Sequence, residues 1–306
     1  MSTTSSYKYW GFGLHIESEI EFPELKPATF ETADVKISMA AGIPDVKGIE
    51  QVTPAGLRYI LNDAQLLFEV PDVARYFAQN GDTIIIDPDS GLTETRVLRL
   101  FVLATVFAGI LLQREQLPLH ASAILNNGEL VLICGDSGAG KSTTLAGLIK
   151  NGHSVFSDDI VVVNKNISAM ASYPMIKLWE DAQDKLDHDD FDDKSFVIKP
   201  GMNKYGIFFH DIFDTGSYPV KKILILKKGD VAQIKSEEVT AAAAFSELNR
   251  QVYRPVLIHN NKLQVLRFGI ISALANTCKI YQVTRPVTCN VDSLVAYVEH
   301  LVYHES

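Results

Sequence analysis

Eight consecutive residues, Gly135-Asp136-Ser137-Gly138-Ala139-Gly140-Lys141-Ser142, satisfy every fixed position of the pattern G-x-x-x-x-G-K-[ST]. The chemistry this spacing serves is phosphate binding. Glycines let successive backbone N–H groups converge on one point, and the start of a helix adds positive potential there. Lys141 reaches the outer phosphates of a nucleotide. Ser142, followed by Thr143, supplies a hydroxyl of the kind that ligates Mg²⁺. A short distance on stand two adjacent carboxylates, Asp158 and Asp159. Beside a magnesium ion such a pair can divide its work, one ligating the metal and the other taking a proton from a hydroxyl nucleophile. A histidine, His120, precedes the glycine loop by about one hairpin. Alone, a histidine is more often a structural hydrogen-bonder than a catalyst.

Elements must hold these residues in place. The apolar run Leu130–Cys134 predicts a buried strand leading into the loop. Thr143–Ile149 has helical spacing and ends at Asn151-Gly152, a good C-terminal stop. His120–Leu125 and Glu129–Cys134 predict a hairpin around Asn126-Asn127-Gly128. The aspartate pair is flanked by apolar residues and precedes the strand-like Ile160–Val163. Upstream, residues 1 to about 90 are β-rich, with candidates at Tyr7–Ile20, Val35–Met39, Leu57–Leu61, Leu66–Val70 and Thr83–Ile86. Thr93 then caps a long helix reaching about Gln116, with Glu94 in its first turn. Downstream, strands are expected at Ile223–Leu226 and Val231–Ile234. Helices are expected at Ala241–Asn249, Leu263–Thr277, and from Asn290 or Asp292 to about His300. These elements divide the chain into a β-rich domain, 1–92, and a phosphate-loop domain, 93–306. The seven aspartates between 181 and 193 read as a solvated stretch, with a lid beside the nucleotide as the functional alternative.

Composition bounds the function. The chain has 306 residues, 47% of them hydrophobic, which is enough for a sizeable core. Its net charge of −9 argues against nucleic acid as a partner. Three scattered cysteines, Cys134, Cys278 and Cys289, form neither a disulfide framework nor a zinc pattern and suit a reducing cytoplasm. The longest apolar run, Leu100–Leu112, is too short for a membrane span and reads as a buried helix, so no membrane partner is expected. A homo-oligomer is compatible with this composition. Lys199, Lys204, Arg250 and Arg254 read as solvated residues.

The segments LHASA (119–123), GDSGAGKST (135–143) and SDDIVVV (157–163) together resemble the HPr kinase/phosphorylase catalytic domain and its shorter relatives. YPMIKLW (173–179) resembles a segment of the same relatives. FGLHIESEIEFPEL (12–25) resembles the start of those that accompany lasso-peptide precursors. The resemblance implies an α/β fold in which an HPr-kinase-like (PEP-carboxykinase-like) phosphate-loop domain follows an N-terminal β-rich α+β domain. It implies ATP and Mg²⁺ as cofactors, Asp158 as general base supported by His120, Lys141 on the phosphates, and Asp159 with Ser142 at the metal. The backbone of Gly135, Asp136, Ser137, Gly138, Ala139, Gly140, Lys141, Ser142 and Thr143 then holds the nucleotide. No counterpart of the LGVRGLGIIDV-like signature of true HPr kinase/phosphorylases is present, which turns the expected acceptor away from HPr.

Three functions fit these residues. The first is a kinase acting on a serine of a peptide or small protein, such as the C-terminal serine of a lasso-peptide precursor. The second is a kinase of a small molecule such as free serine. The third is a nucleotide-gated binding protein. Lys141, Ser142 and the aspartate pair favour an enzyme over the third, and the residues alone do not separate peptide from metabolite.

Overall fold

The computed structural model describes residues 6–91, 94–179, 196–197 and 204–303. Thr93, the aspartate-rich stretch 181–193 and Lys199 lie outside these. The chain packs into two compact units. One comprises Met1–Pro118 and Tyr253–Phe268, the other Leu119–Val252 and Gly269–Ser306.

The first unit is built on nine strands. They are β1 (Tyr7–Gly11), β2 (Leu14–Ser18), β3 (Lys26–Pro27), β4 (Val35–Met39), β5 (Ile49–Val52), β6 (Arg58–Leu61), β7 (Gln65–Val70), β8 (Ala74–Gln79) and β9 (Thr83–Pro88). They form one sheet in the order β3-β1-β2-β4-β9-β8-β7-β6-β5. Strands β5 to β9 make an antiparallel meander, whereas β4 runs parallel to both β2 and β9. The turn from β8 to β9 uses Asn80 and Gly81, both at positive φ, as a tight hairpin requires.

One helix, α1 (Thr95–Gln113), covers this sheet. It begins one residue later than the sequence suggests, with Glu94 at the N-cap position, and contains a π-helical turn at Val102–Val106. It is long and apolar enough to cross a membrane by length and composition, but two-thirds (67%) of its apolar window is packed inside the fold. The packing is specific. A Cβ on Gly109 would meet Leu66 Cδ2 at 2.6 Å, so the helix backbone rests directly on β7. Phe107 stacks on Phe12 at 4.5 Å, and the Tyr76 hydroxyl donates to the Leu98 carbonyl. Burying aromatic side chains of this kind contributes about 1.5–3 kcal/mol each. These contacts make α1 part of the first unit, so the division by packing differs from a boundary drawn at residue 92.

Strand β10 (Leu117–Leu119) carries the chain into the second unit. There β11 (Ser122–Asn126) and β12 (Glu129–Gly135) form the hairpin read from the sequence. Asn126 is paired with Glu129, and Asn127 and Gly128 both have positive φ in the turn. Helix α2 (Lys141–Lys150) follows, then β13 (Ser154–Ser157), β14 (Val161–Val163) and β15 (Ser168–Ala171). Next come β16 (Met175–Trp179), β17 (Phe196–Val197) and β18 (Lys204–Phe208), which form a small antiparallel sheet of their own. The long strand β19 (Ser217–Gly229) precedes β20 (Lys235–Glu238), α3 (Ala241–Arg250), α4 (Asn261–Thr277), β21 (Lys279–Pro286) and α5 (Val291–Tyr303). Helix α4 spans the point where the chain passes back from the first unit to the second.

The centre of the second unit is three parallel strands. β12 pairs with β19, and β19 pairs with β21. Ile223, Leu224, Ile225 and Leu226 of β19 are all buried, the unbroken apolar run expected of a strand covered on both faces. Helix α2 packs on α5 at Gly147, where a Cβ would collide with Val295. The strand expected at Val231–Ile234 is absent. The chain bends there, and the strand forms at Lys235–Glu238 instead, on the edge of the sheet beside β21. That edge strand is largely exposed and polar, so hydropathy does not mark it.

Candidate phosphate-binding and catalytic site

The glycine loop leaves the C-terminal end of β12 and enters α2, a strand–loop–helix unit as the flanking residues suggest. Gly135 closes the strand at φ +142°. A Cβ there would stand 2.5 Å from the Leu226 carbonyl oxygen, so only glycine allows β12 to end against β19. Gly138 and Gly140 also have positive φ, and Asp136, Ser137 and Gly138 form an exposed apex. The first-turn N–H groups of α2, on Lys141, Ser142 and Thr143, have no acceptor within the helix itself. Lys141 is buried. Its ammonium folds back across the loop and donates to the Gly135 carbonyl at 2.7 Å and the Asp136 carbonyl at 3.5 Å. The loop is therefore closed around its own lysine.

Asp158 and Asp159 occupy the turn between β13 and β14, so the pair follows one strand as well as preceding another. The Ser157 hydroxyl donates to the Ile160 carbonyl at 2.7 Å, and Ile160 N–H donates to the Asp158 carbonyl at 2.8 Å. This tight turn forces Asp159 to φ +69°, a strained setting for a non-glycine residue that costs about 1–3 kcal/mol. The strain sends the neighbouring side chains to different places.

The Asp158 carboxylate is 1% exposed and points at the loop helix. One oxygen, Oδ1, accepts from the Ser122 hydroxyl at 2.6 Å and from the Ser142 hydroxyl at 3.4 Å. The other, Oδ2, accepts from the Lys177 backbone N–H at 3.0 Å. The Asp159 carboxylate is gripped by the Lys177 ammonium at 2.6 Å and lies 3.4 Å from His120 Nδ1.

His120 lies in a bend before β11, whereas the sequence suggested a strand from this residue onward. Its Nδ1 is 2.9 Å from the Asp159 carbonyl oxygen. A carbonyl only accepts, so Nδ1 carries the hydrogen and the neutral ring keeps its lone pair on Nε2. Burial lowers the His120 pKa below its ordinary 6.5, and the negative charge of Asp159 opposes that shift without cancelling it. The imidazole is neutral at pH 7.

The structure thus brings together Lys141 with Gly135 and Asp136, Ser142 with Asp158, and His120 with Asp159. The resemblance placed His120 in support of Asp158, whereas the contacts found join it to Asp159. Four contributors carried no local signal. Ser122 and Lys177 sit inside the quoted segments LHASA and YPMIKLW but in no chemical motif. Gln251, buried at the end of α3, accepts from Gly135 N–H at 3.1 Å through its side chain and from His120 N–H at 2.6 Å through its carbonyl. Arg285, at the end of β21, donates to the Ala139 carbonyl at 2.9 Å and the Gly138 carbonyl at 3.4 Å. Their separation from the loop in sequence hid them. Register on the sheet brings in Ser122 and Arg285, and the turn after α3 brings in Gln251.

The oxygen donors suit magnesium. Ser142 and Asp158 present a hydroxyl and a carboxylate at one point, and no group of three acidic, histidine or cysteine side chains forms an all-protein cage among the described residues. Magnesium characteristically uses one or two such ligands and completes its shell with water and phosphate oxygens.

No protein-family model matches the chain, and no curated protein matches it. Among solved structures, the chain is similar to the Hpr(Ser) kinase/phosphatase from Coxiella burnetii. The identity is 15% and the TM-score 0.29, over 60% of this chain and 93% of that one.

Proposed function

We propose that this chain is an ATP- and Mg²⁺-dependent kinase with an HPr-kinase-like phosphate-loop domain, and that it transfers the γ-phosphoryl group to a serine hydroxyl of a peptide or small protein. The observation that carries the reading is the 3.4 Å approach of the Ser142 hydroxyl to the Asp158 carboxylate within a complete phosphate-loop pattern. A buried carboxylate on the loop's own hydroxyl is what a magnesium nucleotide requires and a glycine turn without a ligand does not. The acceptor suggested by the resemblance is the C-terminal serine of a lasso-peptide precursor, with HPr a poor acceptor.

The two aspartates take different parts. Asp158 is sealed from solvent and already receives the hydroxyls of Ser122 and Ser142, so it serves the metal side. Bound there, Mg²⁺ would neutralise charge on the phosphate oxygens. Asp159 is 16% exposed at its side chain and held by Lys177 and His120, so it serves as proton acceptor. This geometry supports the reverse of the assignment drawn from resemblance. As the acceptor serine oxygen bonds to phosphorus, its proton passes to the Asp159 carboxylate, and the bond from phosphorus to the nucleotide's bridging oxygen breaks. The loop backbone from Gly135 to Thr143 and the Lys141 ammonium hold the phosphates in line throughout.

Mass spectrometry of candidate acceptors after incubation with ATP and Mg²⁺ tests the reading. A phosphoserine on a short peptide or flexible tail is expected. HPr phosphorylated faster than every peptide restores the parent family's reaction, and stoichiometric phosphorylation of a free metabolite makes the chain a small-molecule kinase. Asp159→Asn is expected to slow turnover by ~10²–10⁴-fold with nucleotide binding retained, and Asp158→Asn to weaken Mg²⁺-dependent nucleotide binding. The opposite pattern reverses the two roles.

A further inference from the structure

Strands β12, β19 and β21 run parallel and end together, with Gly135 beside Leu226, and Lys228 beside Arg285. Ligands of parallel sheets collect outside such carboxyl ends. Two cations of this chain end there, and neither belongs to the glycine-loop motif. Arg285 crosses the loop. Its Nε and Nη2 take the carbonyls of Ala139 and Gly138, and its guanidinium lies 3.7 Å from where a Cβ on Gly140 would stand. The Lys228 ammonium lies 3.6 Å from where a Cβ on Gly138 would stand, directly over the exposed apex. Its neighbour Lys227 is neutralised by Glu247 at 2.8 Å, whereas no carboxylate among the described residues pairs with Lys228. On a chain of net charge −9, three cations at one loop (Lys141, Lys228 and Arg285) form a local exception.

We propose that Lys228 is a phosphate-binding residue completing a second wall of the loop, with Arg285 as the positioning residue that holds the loop open to it. The ligand class is a polyphosphate, and the contact is to its non-bridging oxygens. The inference rests on the proposed nucleotide-binding reading and adds a subsite to it. The division of work follows from the contacts. By engaging the carbonyls of Gly138 and Ala139, Arg285 fixes those peptide planes, which sets the direction of the N–H groups that follow them. Lys228 has no loop carbonyl to serve and presents a point charge to the apex. Residue 138 is at φ +78°, a setting that favours glycine, and a Cβ there would be in ordinary contact with the ammonium.

Isothermal titration with MgATP and with tripolyphosphate, a probe lacking base and sugar, tests the inference. Wild-type protein is expected to bind both. Lys228→Gln is expected to lose about 10-fold or more for both probes, and to show a shallower dependence of affinity on salt, as one charge–charge contact is lost. Arg285→Lys keeps the charge but not the two-carbonyl grip. It is expected to weaken both probes, with circular dichroism unchanged. Wild-type protein binding neither probe overturns the nucleotide reading itself. Wild-type protein binding both, with Lys228→Gln binding both as tightly, overturns this inference alone. A Lys228→Gln loss confined to MgATP overturns it too, because the ammonium then serves the nucleoside and not the phosphates.

Discussion

The two compact units bury polar groups very differently. Among the described residues, the first unit buries Ser18, Glu24 and Thr105. The second buries Ser122, Lys141, Thr144, Ser157, Asp158, Ser172, Lys177 and Gln251. In the first unit the buried charge is closed off, with Glu24 clasped by Arg99 at 2.9 Å and both side chains mostly covered. In the second, the buried charges Lys141, Asp158 and Lys177 come from three separate stretches of chain at and around the loop that follows β12. Burying polar groups is costly unless they are paired, so such a concentration is retained where it serves something besides stability. The difference teaches where to look for chemistry without reference to any motif. Among the described residues, the first has an apolar core with one sealed ion pair, the second a hydrogen-bonded polar interior beside the glycine loop.

The largest effects separate the units by what is lost. Lys141→Ala is expected to cut phosphoryl transfer by ~10²–10³-fold or more, because a preorganised charge on the transferring group is removed. The fold should persist by circular dichroism, and wild-type turnover in this variant would remove the loop from the mechanism. Arg99→Ala in the first unit is expected to do the reverse. It strands a covered carboxylate and is expected to lower unfolding stability by about 3 kcal/mol in urea titrations, with turnover per folded molecule unchanged. The pair Glu24→Leu with Arg99→Leu should recover most of that loss. If Arg99→Ala changes turnover and not stability, the contrast between the units fails. A smaller effect is expected for Ser122→Ala, which removes the 2.6 Å hydroxyl from Asp158. A hydrogen bond to a charged group is worth about 1.5–3 kcal/mol, so a change of about ten-fold or more in the Mg²⁺ concentration for half-maximal rate is expected. An unchanged magnesium requirement would detach Ser122 from the metal side of the site.

The contrast was only half legible in the sequence. Elements with strong local periodicity were readable. Val35–Met39 is strand β4 to the residue, and the Asn127-Gly128 turn and the helices at 241–250, 261–277 and 291–303 appear where spacing and caps suggested. Strands made by tertiary pairing were not. β21 follows an apolar helix without a strong break, and β20 is an exposed polar edge. The glycine loop was readable because its residues are contiguous. Its supports are not contiguous with it. Arg285 reaches Ala139 across 146 residues through the parallel register of β12, β19 and β21, and Gln251 reaches Gly135 across 116 from the end of α3, where Val252 bridges to Leu119. The division between Asp158 and Asp159 was also hidden, because it follows from one residue at positive φ.

The smallest effect asks whether the polar interior of the second unit senses pH. Partial burial lowers the His120 pKa below the ordinary 6.5 despite the charge of Asp159 nearby. In the unfolded chain the same imidazole titrates near 6.5. Between the folded value and 6.5 the unfolded chain therefore binds more protons than the native one, and stability rises with pH across that window. The contribution is fully present above 6.5 and is lost as the pH falls toward the folded value. His120→Asn retains an N–H donor that can reach the Asp159 carbonyl but cannot titrate, so its stability should fall less steeply on acidification. Urea unfolding of both proteins at pH 7.5 and pH 5.5 measures the difference. A parallel loss in the two proteins would mean that partial burial does not lower the His120 pKa. It would also remove the argument that Nδ1 holds the hydrogen while Nε2 keeps the lone pair. A smaller loss in the variant, with the wild-type imidazole titrating below 6.5 by NMR, would tie the acid sensitivity of the fold to the turn that carries Asp159.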